Sequence, residues 1–598
     1  MRGSPVRRPP ARVLLLLLVP LLLVPLLLLS GCVNVPTSGP IEKIEGSQAS
    51  CDNCVNVEVP PPAADDDPTT IVRNYLRANA NYQPSYAVAR EYLSATAAAK
   101  WDPDAGATLY SDPSYVVSGN TVTLTGRQVG FLSPQRTFSA RPQKLLQKFQ
   151  LIRENGQWRI DSPPGGLMVV QSSFDSLYKP YDVFFLGSAG SLVPQSIYLP
   201  NLRNPDNVAS ALVKTLLGGP STWLAPAVIT AVPKGTTLSG DAVTIVNGVA
   251  QVPLSSQVQQ LAAADRTRLT AQLVYTLQQV TGVKKVLLLT DNQPFPVPES
   301  EPGDLAVPVG AVPAGLDPVP FVSSEQLYAV RRGELATVST NADSHELTRV
   351  VGPLGDGRVL VTSVAVSLTN STLAAVTDRG SVLRQTTPGT TSVTTVTPPG
   401  ASHLLRPQFS RNDQLWVAGE QGGRQRMWIV TPAAATEVRV PDLLGHRLVA
   451  FRLSPDGTRM AMLLERGGTT ELGLARVVRK GTTTTVSSWY ALSTETAAGT
   501  TKPPPRTFMQ DVAWTDATNL MVLRRQGTAG PFVPVRVSDD ASRVTPEVES
   551  HTWEPRGLAV LQRTKTALLV SADGQVYRDD GTTWQPYLTK VSAVATPG

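Results

Sequence analysis

The chain has 598 residues, of which 41% are hydrophobic and 17% are charged. A chain of this length forms several domains, and its apolar content excludes a wholly disordered protein. Lys and Arg number 53 against 47 Asp and Glu, but residues 32–598 carry only 49 basic against 47 acidic side chains. This balance lacks the basic excess of nucleic-acid-binding proteins, so we expect no nucleic-acid partner.

The N-terminus has the pattern of a secretory signal peptide. A basic segment over 1–12 precedes an apolar run that ends at Leu29-Ser30-Gly31-Cys32. A basic head, a short apolar run and small residues are typical of such leaders. Leu29, Ser30, Gly31 and Cys32 resemble the bacterial lipobox, which implies cleavage before Cys32 and a diacylglycerol thioether on it. We predict a signal peptide over 1–31 and a lipid anchor at Cys32 on the outer face of the cell membrane. An ordinary signal peptide or an uncleaved anchor is the alternative.

Cys51 and Cys54 are the other two cysteines, in a Cys-x-x-Cys arrangement. Zinc would need two more ligands, and the first histidine is His345. No βαβ pattern surrounds the pair, as a thioredoxin-like redox site would require. We interpret Cys51 and Cys54 as a local disulfide of an exported protein. The sequence predicts no metal site and no cofactor.

The first folded region follows a tether. Residues 32–67 are rich in Pro, Asp and Ser, which favours an extended chain. Apolar spacing predicts helices over Thr69–Ala80 and Ser85–Ala99. Strand patterns follow, with Asn155-Gly156 as a two-residue hairpin turn. We predict an N-terminal α+β domain over 68–180, similar in shape to cystatin-like or NTF2-like domains.

A second α+β unit is predicted over 190–297. Its helices carry apolar residues at helical spacing around Leu212 and Leu273, and a strand is predicted over Lys284–Thr290. Residues 294–320 then contain eight prolines in 27 positions. Because proline interrupts helices and strand ladders, we predict a semi-rigid linker over 298–317.

Residues 318–598 read as all-β, since short apolar runs alternate with Gly, Asn, Asp and Pro. A repeated pattern of an apolar residue, Ser or Thr, a turn and an apolar pair has anchors spaced by 41, 44, 61 and 47 residues. The anchors are Leu368, Phe409, Leu453, Trp514 and Leu561. One four-stranded propeller blade takes about 40–50 residues, so we predict a β-propeller of about six blades. A pair of β-sandwiches is the alternative. The stretch 479–498 is predicted to be a loop.

No catalytic pattern stands out. The four histidines have no Cys or His at metal-ligand spacing, and no Gly-x-Ser-x-Gly nucleophile motif occurs. They are His345, His403, His446 and His551. We therefore predict no catalytic residues, and a protein that is not an enzyme.

Two segments carry a family resemblance. Ala211-Leu-Val-Lys-Thr-Leu-Leu-Gly-Gly-Pro-Ser and Leu273-Val-Tyr-Thr-Leu resemble the GerMN domain of spore-germination and sporulation proteins. A lipobox, an α+β domain, a GerMN domain and a propeller in this order resemble the LpqB family of lipoproteins of high-GC Gram-positive bacteria.

That resemblance implies a partner, the extracellular sensor domain of the MtrB histidine kinase, and roles in cell-wall homeostasis and division. It implies no catalytic residues. The alternative function is a cell-envelope lipoprotein that binds glycan or peptide and has no signalling role.

Overall fold

The N-terminal domain is built from helices packed on a curved sheet. Helix α1 (Pro68–Ala80) is capped by Asp67, whose carboxylate accepts hydrogen bonds from the backbone N–H groups of Thr69 (2.8 Å) and Thr70 (3.2 Å). This side-chain cap satisfies donors that have no partner inside the helix. The predicted apolar stripe of α1 is buried in the domain core, with Ile71, Val72 and Tyr75 at 0% exposure.

The sheet of this domain has the order β4-β3-β2-β1-β5, in which only β1 and β5 are parallel. The two-residue turn at Asn155-Gly156 is confirmed: both residues have positive φ, and Glu154 pairs with Gln157. The elements after α1 are α2 (Ala87–Glu91), α3 (Ala95–Lys100), β1 (Ala107–Ser118), β2 (Thr121–Leu132), β3 (Phe138–Glu154), β4 (Gln157–Ile160), β5 (Leu167–Val170) and α4 (Gln171–Leu177).

The structure is a computed structural model that describes residues 59–240, 242–300, 303–320, 322, 324–339, 345–492, 506–546 and 553–598. The signal peptide, the tether up to residue 58, the lipobox with Cys32, and the Cys51–Cys54 pair lie outside these residues, so they remain predictions. The predicted single helix over Ser85–Ala99 is wrong. Leu93 bridges to Ile160, and Ser94 then caps α3 by accepting from Ala97 N–H (3.1 Å), so the sheet edge divides the segment.

The second domain has two small sheets and two helices around one apolar core. One sheet has the order β7-β6-β8, and the other the order β12-β11-β10-β9, with β13 also paired to β11. Its elements are β6 (Tyr178–Gly187), β7 (Leu192–Pro200), α5 (Pro205–Leu217), β8 (Val228–Ile229), β9 (Thr244–Val246), β10 (Val249–Leu254), α6 (Ala263–Leu277), β11 (Lys285–Thr290), β12 (Gln293–Pro294) and β13 (Val307–Pro308).

Both predicted edges of this domain differ from the structure. The boundary at 190 falls in the turn of the β6–β7 hairpin, and β6 contributes Val183 and Phe185 to the core, so the domain begins earlier. The segment 298–317 does not act as a free linker. Val307 is fully buried and pairs with Val286 of β11. The neighbouring Pro308 is tolerated because β13 lies at the edge of the sheet, where the backbone N–H that proline lacks is not needed for pairing.

The C-terminal region forms six sheets within the described residues, which confirms the prediction of about six blades. In chain order they are β38-β14-β15-β16, β17–β20, β21–β25, β26–β29, β30–β33 and β34–β37. The last strand of the chain pairs with β14, the first strand of the region, so one blade is completed by both ends.

The strands of the first three blades are β14 (Tyr328–Arg331), β15 (Glu334–Val338), β16 (Leu347–Arg349), β17 (Val361–Val366), β18 (Leu373–Thr377), β19 (Val382–Thr386), β20 (Thr394–Thr395), β21 (Ala401–Ser402), β22 (Gln408–Phe409), β23 (Leu415–Gln421), β24 (Arg424–Val430) and β25 (Ala435–Val438). Those of the other three, with the closing strand, are β26 (Arg447–Leu453), β27 (Arg459–Arg466), β28 (Thr469–Lys480), β29 (Thr483–Ala491), β30 (Thr507–Trp514), β31 (Asn519–Gln526), β32 (Val533–Ser538), β33 (Val544–Pro546), β34 (Pro555–Leu561), β35 (Thr566–Ser571), β36 (Val576–Asp579), β37 (Trp584–Leu588) and β38 (Ala593–Ala595).

The repeated anchors lie at matching places in the blades. All five are buried, each within or directly after the innermost strand of its blade. The predicted loop over 479–498 is wrong in its first half, where β28 and β29 form a hairpin. A run of β-branched residues from Thr483 to Val486 carries the strand signal there. No helix among the described residues has the length and apolar character needed to cross a membrane.

Candidate binding site at the domain junction

The three domains meet at strand β7. Tyr198 on this strand packs against Phe138 and Phe174 of the N-terminal domain, with ring centroids 6.4 and 5.1 Å away. Its hydroxyl donates to Asp540 of the propeller (2.9 Å) and also contacts Ser542. A single buried side chain therefore connects all three parts of the body.

A buried arginine forms the second connection. Arg459 begins β27, after a turn in which Asp456 accepts from the N–H of Thr458 (2.8 Å). The guanidinium donates to Asp456 (3.0 Å), to Asp539 and to the carbonyl oxygen of Pro194 on β7 (3.0 Å). The side chains of Arg459, Asp456 and Asp539 are 4%, 0% and 8% exposed. We call these three residues the junction cluster; it holds the GerMN-like domain against the propeller.

Trp223 makes the third connection. Its indole N–H donates to the carbonyl of Ser488 on β29 (3.0 Å), and its ring meets Tyr490 edge to face at 5.1 Å. Arg476 donates to the carbonyl oxygen of Trp223 and to the Ser488 hydroxyl. Trp223 thus lies at the interface of two domains. The indole N–H makes the hydrogen bond to Ser488, and the apolar ring surface packs against Tyr490.

These contacts surround a cavity of about 840 Å³. Pockets of this size hold small organic ligands, and they occur preferentially between domains. The described lining comes from the N-terminal domain, the second domain and the propeller, and includes Phe131, Phe138, Arg141, Gln195, Trp223, Leu224, Arg459, Glu471, Leu472, Tyr490, Leu492, Met509, Asp539 and Asp540. The segment 493–505, which continues from Leu492, lies outside the described residues.

Carboxylates outnumber cations close to the junction cluster. Burial raises the pKa of Asp182 on β6 to about 6, although the Ser196 hydroxyl donates to it (2.9 Å). Burial also raises the pKa of Asp539. Arg459 lowers both values, whereas neighbouring carboxylates such as Asp540 raise them. A ligand with a cationic or hydrogen-bond-donating group therefore suits this side of the cavity.

The predicted site residues lie outside the described residues, and so does His551. They are Leu29, Ser30, Gly31, Cys32, Cys51 and Cys54. His403 contacts Glu420 (3.2 Å) on the propeller, and the His345 ring packs against Tyr587 with centroids 4.1 Å apart and the ring planes tilted by 46°. Among the described residues, no three His, Cys, Asp or Glu side chains gather as metal ligands would.

Sequence reasoning missed the junction cluster for a physical reason. Arg459 and Asp539 lie 80 residues apart; Arg459 follows one ordinary blade turn and Asp539 begins another. The one local signal is the Ser454-Pro-Asp-Gly-Thr-Arg459 run, in which a turn aspartate is followed by an arginine three residues later.

Three family models match the chain in the order of its domains. "Lipoprotein LpqB, N-terminal domain" matches residues 61–175, "Sporulation and spore germination" matches 182–295, and "Lipoprotein LpqB beta-propeller domain" matches 333–597. Lipoprotein LpqB of Cutibacterium acnes is 29% identical, over 95% of this chain and 97% of its own length. The chain belongs to the LpqB lipoprotein family.

Other members of the LpqB family agree with this assignment. Lipoprotein LpqB of Streptomyces coelicolor is 27% identical, over 100% of this chain and 99% of its own length. Membership in the LpqB family makes the chain a membrane-anchored lipoprotein, and the GerMN prediction is confirmed. Among solved structures, TolB from Acinetobacter baumannii aligns with a TM-score of 0.35 at 14% identity, over 59% of this chain and 88% of that chain. This similarity is too weak to carry a conclusion.

Proposed function

We propose that this LpqB lipoprotein binds the outer sensor domain of an MtrB-like histidine kinase and thereby modulates two-component signalling in cell-wall homeostasis and division. It acts from the extracytoplasmic face of the membrane, anchored through Cys32, and it catalyses no reaction. Membership in the LpqB family supports the proposal. An anchor confines both partners to the membrane surface and so raises the effective concentration of each for the other.

The observation that carries the proposal is that the three domains are held together by buried contacts at their junction. Residues Val59–Gly598 form one compact unit, held by Tyr198, Trp223 and the junction cluster. A body of fixed shape presents one continuous surface to a partner and loses little conformational freedom when it binds. An accessory protein that must hold a receptor domain in one arrangement needs this property.

The outward face of the N-terminal sheet is the surface we assign to the sensor domain. Val116 and Leu146 lie on this face and are 59% and 65% exposed. The register places them diagonally, since Val116 pairs with Thr123 and Leu146 pairs with Thr125 of the same strand. Contiguous exposed apolar patches mark interaction surfaces, and we propose that Val116 and Leu146 belong to one on this face. This domain also follows directly on the predicted tether, so along the chain it is the part closest to the membrane.

Direct binding tests the proposal. The full chain in nanodiscs is expected to bind the purified sensor domain of the kinase from the same organism in biolayer interferometry. Leu146→Asp is expected to weaken binding at least about tenfold, because a carboxylate replaces an apolar contact. Leu444→Asp is the matched control, since Leu444 is 72% exposed but lies on the propeller. Absence of any binding by the full chain would refute the kinase partnership. Equal effects of the two variants would refute the assigned face.

The junction cavity favours the second candidate function, in which the protein binds a glycan or peptide of the cell envelope and has no signalling role. Trp223 lines this cavity, so a ligand there is expected to change its fluorescence. Titration with muropeptides should give a saturable change that is absent in Trp223→Phe. This candidate is supported if the change occurs and the sensor domain does not bind.

A further inference from the structure

The centre of the propeller contains a second cluster of arginine and aspartate, separate from the junction. It consists of Arg406, Arg452 and Asp511, which we call the channel cluster. These residues come from the innermost parts of three successive blades, and neighbouring innermost strands contact one another around the ring. A bulge between Met509 and Val512 interrupts the ladder at Asp511. Bulges of this kind re-aim a side chain, and here the carboxylate lies between two guanidinium groups.

The channel cluster has more positive than negative charge. Arg452 donates to one carboxylate oxygen of Asp511 (3.0 Å), and Arg406 lies 3.8 Å from the other. The Asp511 carboxylate also accepts from the backbone N–H groups of Val512 and Leu558, each at 2.9 Å. Its capacity to accept is therefore filled by its own neighbours. One carboxylate neutralises one of the two arginines, and the second is left without a counter-charge in the cluster.

Arg406 is the arginine that is left over. It donates to the carbonyl oxygen of Leu558 (2.6 Å) through Nη1, and that contact fixes the plane of the guanidinium. Within the described residues, Nε and Nη2 of Arg406 donate to no protein group. The side chain is 26% exposed and lines a cavity inside the propeller. Burial and the charge of Arg452 lower the pKa of Arg406 to about 10, in agreement with an incompletely compensated cation.

The space in front of Arg406 is a cavity of about 160 Å³. Its lining includes Ser363, Ser592 and a further arginine, Arg556. The Ser592 hydroxyl already donates to the carbonyl oxygen of Val330 (3.2 Å). Arg556 is exposed and forms no ion pair with another described residue. Asp511 is the one acidic side chain among the described lining residues, and its charge is already paired. A cavity of about this volume holds a molecule the size of benzene, so it suits a compact ion or a small end group rather than a sugar or a nucleotide.

We propose that this cavity binds a compact oxyanion, a phosphate or carboxylate group, held between Arg406 and Arg556. A guanidinium presents two parallel N–H donors that match the oxygens of either group. In this proposal Nε and Nη2 of Arg406 supply such donors, and the exposed Arg556, which also lines the cavity, supplies a second cation. The Ser363 hydroxyl supplies an uncharged donor. Because the Arg406 side chain is only 26% exposed, screening by salt is weaker here than at the outer surface.

A phosphate or carboxylate group in this cavity could come from two kinds of ligand, and the experiment distinguishes them. The oxyanion is either a free ion or the end group of a larger envelope molecule that enters through the mouth. The full chain in detergent is titrated by calorimetry with inorganic phosphate and acetate, and then with methyl phosphate and dialanine, at constant ionic strength with chloride as the balancing anion. Saturable binding of a free ion alone assigns a free anion, and binding of the larger probes as well assigns an end group.

Arg556→Gln is expected to weaken binding at least about fivefold and Arg406→Gln at least about tenfold, as loss of a charge-assisted hydrogen bond predicts. Arg424→Gln is the matched control, since Arg424 is exposed on another part of the propeller. It should bind as the original chain does. Because Arg556 is exposed, its substitution leaves the fold intact even if Arg406→Gln does not fold.

No saturable binding of any probe would overturn the proposal. Binding that all three variants weaken equally, or that Arg556→Gln leaves unchanged, would overturn it as well. Anion-dependent thermal stabilisation gives an independent readout: phosphate should raise the melting temperature of the original chain and of Arg424→Gln more than chloride does, and this difference should vanish in Arg556→Gln.

Discussion

The junction cluster and the channel cluster are built from the same residue types in the same propeller, and they differ in charge balance and in access. At the junction, two carboxylates share Arg459, and the three side chains are at most 8% exposed. In the channel, two arginines share Asp511, and Arg406 is 26% exposed. The first arrangement is complete within the protein, whereas the second leaves a cation facing open space. Charge balance and solvent access therefore distinguish the structural junction cluster from the proposed binding site in the channel.

The electrostatic consequences have opposite signs. Burial raises the pKa of Asp182 to about 6, and neighbouring carboxylates add to the rise. Burial lowers the pKa of Arg406 to about 10, and the charge of Arg452 adds to the fall. In both cases the charged form that is in excess is disfavoured. Each cluster can therefore be tested by removing the group that makes its balance unequal.

The largest loss of unfolding free energy is expected for a substitution in the junction cluster. Arg459→Ala leaves Asp456 and Asp539 buried without their cation, and such a loss costs about 3–5 kcal/mol of unfolding free energy. The urea midpoint of the full chain measures it. Arg447→Ala is the matched control, because the Arg447–Glu465 pair is exposed, with side chains at 62% and 38%. Exposed pairs contribute less than about 1 kcal/mol. Equal losses in the two variants would show that the junction cluster does not hold the domains together.

The fold was predictable where local chemistry decides it. The stripe of α1, the turn at Asn155-Gly156 and the repeated blade anchors follow from side-chain period and turn preference, and each appears in the structure. The break at Leu93 was not predictable, because its cause is a bridge to Ile160, 67 residues away in sequence. The buried 307–308 segment is a similar case. Its proline content indicates weak strand pairing, but it does not reveal that an edge of strand β11 is available to pair with it.

Neither cluster was predictable from the sequence. Arg406, Arg452 and Asp511 are spread over more than 100 residues, and ring closure alone brings them together. The same holds for Arg459 and Asp539. Anchors such as Leu453 and Trp514 do locate the innermost strands, so a sequence search restricted to charged residues near these anchors would have found Arg452 and Asp511.

An intermediate effect is expected for the pH dependence at the junction. Asp182 has a pKa of about 6 in the folded chain against an ordinary value of 3.8. The folded state then binds more protons than the unfolded state, so unfolding free energy falls as pH rises from about 4 to about 7. Asp182→Asn keeps an acceptor for the Ser196 hydroxyl and lacks this fall. We expect the variant to be about 1–2 kcal/mol more stable than the original chain at pH 7.5 and equal to it at pH 4.

Urea unfolding at a series of pH values measures this difference. Glu554→Gln is the control, because Glu554 is exposed and its side chain contacts no charged group among the described residues. A difference that grows toward low pH would have the wrong sign. It would mean that the carboxylate form of Asp182 is favoured at the junction, and that Arg459 outweighs the neighbouring carboxylates.

The smallest change in unfolding free energy is expected for a substitution in the channel cluster. It tests whether the channel cluster differs from the junction cluster in function. Arg406→Gln removes the cation that Asp511 does not neutralise, while Arg452 and two backbone N–H groups keep Asp511 paired. The lowered pKa of Arg406 means that the folded state disfavours its charge at neutral pH, so removing the charge relieves a cost. The lost hydrogen bond to Leu558 offsets that relief. The net change in unfolding free energy is therefore expected to be below about 1 kcal/mol in chloride.

In phosphate the original chain should gain stability and the variant should not, because the bound anion supplies the missing counter-charge. A loss as large as that of Arg459→Ala, in either buffer, would make the channel cluster structural and remove the distinction between the two.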